Sequence, residues 1–162
     1  MIISAKTNIA AIRARLQYVR DNLDSTIQAG FVEGGALMTT ALSNAAPKGK
    51  NASSNTIPGD SGGPLSQSFQ AIPFAPLGVS IITTQPTKLL FVTKGTGIYG
   101  PTGQRITPKV KKALYWEGAL HPVKSVSGER PNDFVTPTVA ANKEEVIQTV
   151  RRAVVELMRT LG

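Results

Sequence analysis

The sequence predicts an α+β fold, in which a long N-terminal helix and a C-terminal helix pack on a mostly antiparallel β-sheet, with long loops between the elements. Three observations predict it. Helical apolar spacing dominates both ends of the chain, short β-branched and aromatic runs occupy the middle, and segments rich in Gly and Pro separate them. A chain of 162 residues suits a single domain, 1–162, that is large enough to bury a core.

The first helix is predicted from apolar residues at every third or fourth position, which places them on one helical face. These residues are Ile9, Ile12, Leu16, Val19, Leu23 and Ile27. The same phase continues weakly to about Asn44. Three glycines, Gly30, Gly34 and Gly35, interrupt it, and each costs up to about 1 kcal/mol inside a helix. We therefore expect a kink or two successive helices there, and small residues that let another backbone approach closely.

A mobile loop is predicted over about 46–66, where the composition shifts to Gly, Ser and Pro. Ile57 and Leu65 are the only large apolar residues of that segment. So few apolar side chains cannot offset the entropy that is lost when the segment becomes ordered. A structureless stretch of this length inside a compact domain is either functional or disordered.

The middle of the chain predicts short strands, because β-branched and aromatic runs alternate there with Pro and Gly. The predicted strands lie at Val79 and Ile81, at Leu89–Val92, at Lys112–Glu117 and near Pro122–Val126. The last two flank Gly118 and Ala119, which suggests a hairpin.

The last helix is predicted from a second apolar stripe with charged residues on the opposite face. The stripe consists of Val146, Ile147, Val150, Ala153, Val154, Leu157 and Met158. Asn142 is the expected N-cap, because Glu144 and Glu145 would then lie in the first turn and favour the helix dipole.

The bulk composition restricts the function classes. The formal net charge is +8, which favours a nucleic acid or an acidic protein surface as a partner, and equally a solvated basic face without one. The absence of Cys excludes disulfides, thiolate nucleophiles and Cys-based zinc sites. No apolar run reaches the roughly 20 residues of a membrane span, and Arg13 and Arg15 interrupt the N-terminal apolar pattern, so we expect no signal peptide and no membrane partner.

A protease-like string, GDSGGP at 59–64, matches the surroundings of the nucleophile in trypsin-like serine proteases. A nucleophilic Ser61 would need a histidine base oriented by an acidic residue. His121 is the only histidine, and it follows Ser61, which excludes the His, Asp, Ser order of chymotrypsin-type enzymes. The Ser, acid, His order fares little better, because no Asp lies between Ser61 and His121 and Glu117 precedes the histidine by only four residues. The glycines and Asp60 are better explained as turn residues. The GTGIYG string also lacks the spacing of a phosphate-binding loop. We predict no catalytic residue, no metal site and no cofactor.

Four further segments carry a resemblance. They are the first helix leading into AAPKGK at 45–50, GGPLSQSF at 62–69, the stretch 90–116 with its GTGIYGP, and GERPNDFVTPTVAAN at 128–142. Together they resemble the neck and tail-completion proteins of tailed bacteriophages, which join the filled head to the tail. The matching positions are Gly63, Leu65, Ser68 and Phe69 in the second segment, Gly95, Thr96, Gly97, Tyr99, Gly100, Pro101, Pro108 and Lys109 in the third, and Phe134 and Pro137 in the fourth.

This resemblance implies a non-enzymatic α+β subunit that forms a ring, a hexamer or a dodecamer, in the neck of the virion. The implied partners are a head connector or adaptor protein and a tail terminator or tube protein, with passing contact to genomic DNA and with assembly in the host cytoplasm. We expect Arg105, Lys109, Lys111 and Lys112 to pair with acidic faces of adjacent rings, or alternatively to face DNA in the lumen. The first role is favoured because tight phosphate binding would slow DNA ejection.

Two alternatives come from other function classes. The +8 charge fits a basic DNA-binding module, although the chain has no helix-turn-helix pattern and few aromatic residues near its basic run. A serine hydrolase built on Ser61 is the remote alternative.

Overall fold

The computed structural model describes residues 5–48, 63–115 and 120–160. The described chain forms helices α1 (Ala5–Ala45), α2 (Pro86–Lys94) and α3 (Val135–Arg159), and strands β1 (Phe69–Pro73) and β2 (Val79–Thr83). Two short 3-10 helices lie at Leu65–Gln67 and Gly97–Tyr99. The predicted α+β fold is confirmed, because the two long terminal helices pack on an antiparallel sheet. In the described ranges that sheet has two strands, β1 and β2.

The chain divides into two compact units. Unit 1 contains the chain up to Ala41, the segment Phe69–Ile82 and the chain from Val139 onward. Unit 2 contains Leu42–Ser68 and Thr83–Thr138. Nearly all of the sheet therefore belongs to unit 1, and α2 belongs to unit 2. The prediction of one domain over 1–162 stays a prediction.

Glycines on α1 allow it to approach its neighbours in unit 1 closely. A Cβ on Gly30 would lie 3.0 Å from the Cα of Val150 in α3, and one on Gly35 would lie 2.8 Å from Cγ2 of Val79 in β2. The predicted close approach is confirmed. The predicted break into two successive helices is wrong, since α1 runs unbroken to Ala45, and the predicted kink stays a prediction. The packing that these small residues permit offsets their poor helix propensity.

The β1–β2 hairpin is attached to α1 by one glutamine. Phe74 N–H donates to Gly78 O at 3.2 Å across the turn. The Gln28 amide on α1 then forms two bonds to the same glycine, since its Nε2 donates to Gly78 O at 3.0 Å and its Oε1 accepts from Gly78 N–H at 3.0 Å. The strand predicted around Val79 is confirmed as β2.

The strand predicted at Leu89–Val92 is wrong, because these residues lie in α2. A short apolar run does not by itself distinguish a strand from a buried helical segment. Pro86 favours the helix, because it occupies the first turn of α2. The fixed φ of proline suits a helix at this position, and the N–H that it lacks would have no partner within the helix. Leu89 N–H then donates to Gln85 O at 3.0 Å, in the helical pattern.

The strands predicted at Lys112–Glu117 and Pro122–Val126 are also wrong in the part that is described, because each forms single bridges instead of a ladder. Leu114 and Val123 exchange hydrogen bonds of 2.8 and 3.0 Å in an antiparallel bridge. Val126 bridges to Ile106 in the same way. The predicted pairing of the two segments is therefore present at one residue pair, while 116–119 lie outside the described residues.

The predicted mobile loop, about 46–66, lies mostly outside the described residues, which omit 49–62. Both of its described ends are packed in unit 2. Ala46 and Leu65 are 3% and 4% exposed. The two ends are therefore held by packing, and the mobility of the loop stays a prediction.

The predicted N-cap at Asn142 is wrong, because α3 begins at Val135. Pro137 lies in the first turn of that helix, a position where proline is tolerated, so it does not delay the start of the helix. The carboxylate of Asp133 caps it, accepting a bond from Thr136 N–H at 3.2 Å. Glu144 and Glu145 are consequently interior residues of α3 and do not face its dipole.

Removing this cap, by Asp133→Ala, is expected to lower the midpoint of thermal unfolding at pH 7. Hydrogen bonds from the Thr136 hydroxyl and backbone N–H lower the pKa of Asp133. Because the pKa of Asp133 is lower in the folded than in the unfolded protein, its carboxylate stabilises the folded state fully above the unfolded pKa of about 3.9. This stabilisation is lost as the pH falls through the folded pKa. The difference in unfolding midpoint between the wild type and Asp133→Ala should therefore become smaller below about pH 4.

Asp133→Asn is the matched control, because asparagine also caps a helix but carries no charge to titrate. The unfolding midpoint of Asp133→Asn at pH 7 should lie close to that of the wild type. It should also fall less than the wild-type midpoint when the pH is lowered. Equal midpoints for wild type and Asp133→Ala at pH 7 would contradict the capping role.

Candidate interaction site

Two distant segments of unit 2, residues 95–100 and 127–131, lie side by side and form what we call the glycine clasp. Three hydrogen bonds join them: Thr96 N–H donates to Glu129 O at 2.9 Å, Ile98 N–H to Ser127 O at 2.8 Å, and Glu129 N–H to Thr96 Oγ1 at 2.9 Å. The clasp holds together the GTGIYG string and the start of the last resembling segment.

Glycine is required in the clasp by both conformation and space. Gly97 has φ +63° and Gly128 has φ +88°, values that L side chains rarely adopt. A Cβ on Gly97 would collide with Ser127 O, and one on Gly128 would collide with Thr96 O. The glycine pattern predicted turn chemistry, and its physical cause is this backbone-to-backbone contact.

Tyr99 lies at the end of the clasp with its ring partly exposed. The Arg130 guanidinium lies 5.4 Å from the ring centroid, within the range of a cation–π contact. The neighbouring Pro101 is exposed, and Pro108 is half-buried. One aromatic face of the clasp is thus covered by a positive charge.

The resembling positions Gly63, Leu65 and Ser68 have structural roles in unit 2, while Phe69 belongs to unit 1. Ser68 is buried, and its hydroxyl donates to Leu65 O at 2.7 Å and shares a bond with Thr83 Oγ1 at 2.7 Å. Gly63 O accepts from Lys88 Nζ at 2.6 Å, which connects this segment to α2. Phe69 begins β1 and is half-buried.

At the fourth resembling segment, Phe134 is buried and Pro137 is exposed. The Phe134 carbonyl accepts from the Thr138 hydroxyl at 2.7 Å. These positions therefore serve the start of α3.

The four basic residues predicted to interact are all exposed. Arg105 contacts the clasp region, since its Nε donates to Ser125 Oγ at 2.9 Å and its Nη1 to Ser127 Oγ at 3.2 Å. Lys109, Lys111 and Lys112 lie in a series of bends without regular structure. We call residues 105–115 the basic arm.

Sequence reasoning missed the apolar residues that are exposed in the basic arm and just after it. Val110 and Leu120 are 96% and 97% exposed, and Tyr115 is also mostly exposed. It missed the serine partners of Arg105 as well, although Ser125 and Ser127 alternate around Val126 with the period of a strand face. Between 94 and 131 the chain has seven Lys or Arg and two Glu, so this part of the chain is strongly basic.

The groups that an enzyme would need are not brought together in the described ranges. Ser61 lies outside them, and His121 is exposed at a bend. No group of three or more His, Asp or Glu side chains within 5–48, 63–115 and 120–160 is placed to hold a metal ion. Among the residues described, no helix combines the length and apolar character that crossing a membrane requires.

The chain matches no protein-family model, and neither a curated protein nor a solved structure matches it. A functional proposal therefore depends on the residues and contacts of the chain itself.

Proposed function

We propose that the protein is a structural subunit of the neck of a tailed bacteriophage, which assembles into a closed ring and joins the head connector to the tail. The single observation that carries this proposal is the exposed apolar stripe at the start of α1. Ile9, Ile12 and Leu16 are 51%, 49% and 54% exposed. Each is a large aliphatic residue at helical spacing, so together they form one continuous apolar surface.

Such a stripe favours a protein partner. All ten residues from 9 to 18 are exposed, so this part of α1, about 15 Å long, covers no core of its own unit. Burying the exposed half of each large aliphatic side chain would stabilise a complex by about 1 kcal/mol. Contiguous apolar patches of this kind mark interaction sites.

The charge pattern of α1 favours a second copy as that partner. Residues 1–20 contain four Lys or Arg and no acidic residue. Residues 21–45 contain Asp21, Asp24 and Glu33 and no basic residue. Arg20 and Asp21 pair with each other within one copy. The remaining charges give each copy a positive and a negative segment, which favours a head-to-tail arrangement. A head-to-tail contact produces a ring when its rotation closes.

The basic arm supports docking of the ring to acidic neighbours. Val110 and Leu120 are exposed together with the lysines, and apolar side chains gain free energy at a protein surface more than at a phosphate backbone. We therefore assign Arg105, Lys109, Lys111 and Lys112 to contacts with a head connector or adaptor on one side, or a tail terminator or tube protein on the other. A single arm binds weakly, and the ring multiplies the contacts.

The second candidate function is a DNA-binding module, and the excess of seven basic over two acidic residues at 94–131 favours it. A basic surface of this kind binds duplex DNA through counterion release, so its affinity falls steeply with salt. The exposed stripe of α1 has no role in this alternative.

The test is light scattering coupled to size-exclusion chromatography, at low and high salt, with and without duplex DNA. We expect a closed hexamer or dodecamer that persists in high salt and does not shift on DNA, and electron microscopy should show rings. A monomer or dimer that moves onto DNA, and releases it between roughly 50 and 200 mM salt, would overturn the neck proposal and support the DNA-binding module.

A further inference from the structure

We infer that the apolar stripe at the start of α1 inserts into an apolar groove in unit 1 of the next copy. This inference rests on the proposed self-assembly and names the surface that receives the stripe. The groove is open and has a volume of about 420 Å³. Its lining comes from α1, the β1–β2 hairpin and α3, and includes Phe31, Gly34, Met38, Phe74, Val79 and Val146.

Its lining residues make the groove a suitable receptor for apolar side chains. Phe74 is exposed, and Phe31 and Val79 are only half-buried, so their apolar surface faces solvent in a single copy. Gly34 and Gly78 are buried beneath Val146 and Phe74, so those two side chains form the surface of the groove there. The volume lies in the range of clefts that bind small ligands, and a groove of this type accepts an amphipathic helix through anchors at i, i+3 and i+7.

The stripe has that anchor spacing. Ile9, Ile12 and Leu16 stand at i, i+3 and i+7 and span about 10 Å along the helix. The side chains of Ile9, Ile12 and Leu16 would enter the groove, and the other residues of these two helical turns would remain outside it.

The groove of the same copy is excluded as the receptor. α1 is one unbroken helix from Ala5 to Ala45, and both the stripe and the groove residue Phe31 belong to it. Leu16 and Phe31 are separated by 15 residues, which is about 22 Å along the helix axis. A continuous helix cannot fold back on itself, so the stripe can only reach the groove of another molecule.

Charge complementarity favours a second copy over an unrelated helix. Glu33 and Glu145 are exposed and are the chain neighbours of the groove residues Gly34 and Val146. Arg13 is exposed and is the chain neighbour of Ile12 in the stripe. Opposite charges beside the inserted side chains would fix the register of the contact and speed its formation.

Cysteine cross-linking tests the contact directly, because the chain has no cysteine. One preparation carries Leu16→Cys and the other Leu77→Cys in the groove lining. After mixing, exchange of subunits and mild oxidation or treatment with a short bismaleimide, we expect a cross-linked pair that contains one chain of each kind. Phe31→Cys is a second groove variant, which is used if Leu77→Cys disrupts folding of the hairpin.

The matched control is Ala36→Cys, which lies on the same helix but is exposed and outside the groove lining. Five residues separate it from Phe31, which places it about 140° round the helix. We expect cross-linking of Leu16→Cys to Ala36→Cys to be at least about tenfold lower than to either groove variant. Equal yields at the groove and control positions would overturn the inference.

The outcomes separate this inference from the proposed function. Rings without a stripe-to-groove cross-link would overturn the contact and leave the ring proposal standing. A cross-link in a particle that scatters as a dimer would support the contact, in a reciprocal pair, and overturn the ring. A protein that shows neither overturns both, and the stripe would then belong to a different partner.

Discussion

Gly97→Ala is expected to destabilise unit 2 by roughly 3 kcal/mol or more. Gly97 has φ +63°, where alanine costs about 1–2 kcal/mol for the backbone alone. The added Cβ would also collide with Ser127 O, so the two segments of the glycine clasp must separate. Their separation would weaken the bond from Ile98 N–H to Ser127 O. Equilibrium unfolding in urea, followed by circular dichroism, measures the loss.

Gly103→Ala is the matched control for this prediction. Its φ of +62° is nearly the same, but an added Cβ would meet nothing within 4 Å. It should therefore cost only the backbone part, about 1–2 kcal/mol. The difference between the two variants isolates the clasp contact. Equal losses would show that the collision with Ser127 is relieved without cost and that the clasp does not hold unit 2 together.

Leu16→Asp is expected to weaken ring assembly at least about a hundredfold, leaving monomers at concentrations where the wild type forms rings. The substitution removes about 1 kcal/mol of apolar burial and places an unpaired charge in an apolar groove, which adds about 2 kcal/mol or more. Folding of the subunit should be unaffected, because Leu16 is exposed in the single copy. Light scattering coupled to size-exclusion chromatography measures the association.

Ala11→Asp provides the control, since it introduces the same charge in the same part of α1. Ala11 is also exposed, and it lies about 140° round the helix from Leu16, away from the stripe. Its rings should form as in the wild type, and circular dichroism should show equal helix content for both variants. If Leu16→Asp still assembled like Ala11→Asp, the stripe would not be the assembly surface.

These two predictions act on different levels of the molecule. The first changes the stability of a unit through a contact made during folding. The second leaves the unit folded and removes a contact between copies. A protein whose assembly failed with Gly97→Ala but not with Leu16→Asp would depend on unit 2, and not on α1, for its interfaces.

The terminal helices could be predicted from the sequence because their signal is local and periodic. The end of α1 near Asn44 and the apolar stripe of α3 follow from spacings of three and four residues, which need no knowledge of the partner. The β2 strand at Val79 was found in the same way, from alternation over a few residues. Residue types alone identified the basic residues Arg105, Lys109, Lys111 and Lys112.

The candidate site could be predicted only by residue type. Arg105 and the three lysines were identified as basic, and the glycines as turn formers, because each property belongs to a residue by itself. The serine partners of Arg105 lie 20 and 22 residues along the chain, and the clasp joins segments about 30 residues apart. Contacts over such separations leave no periodic pattern in the sequence.

Sequence by itself therefore determined that this protein is α+β, that both of its ends are helical, and that its middle is basic. Tertiary structure decided the state of the ambiguous elements. The run Leu89–Val92 became helix because Pro86 starts α2, and Gly30 and Gly35 remained inside one helix because Val150 and Val79 pack against them. The tertiary structure also decided which apolar residues of α1 are packed within the subunit and which, like Ile9, Ile12 and Leu16, remain exposed. A periodic pattern shows that a face is apolar, but only the packed neighbours determine whether that face is buried within the subunit or left for another copy.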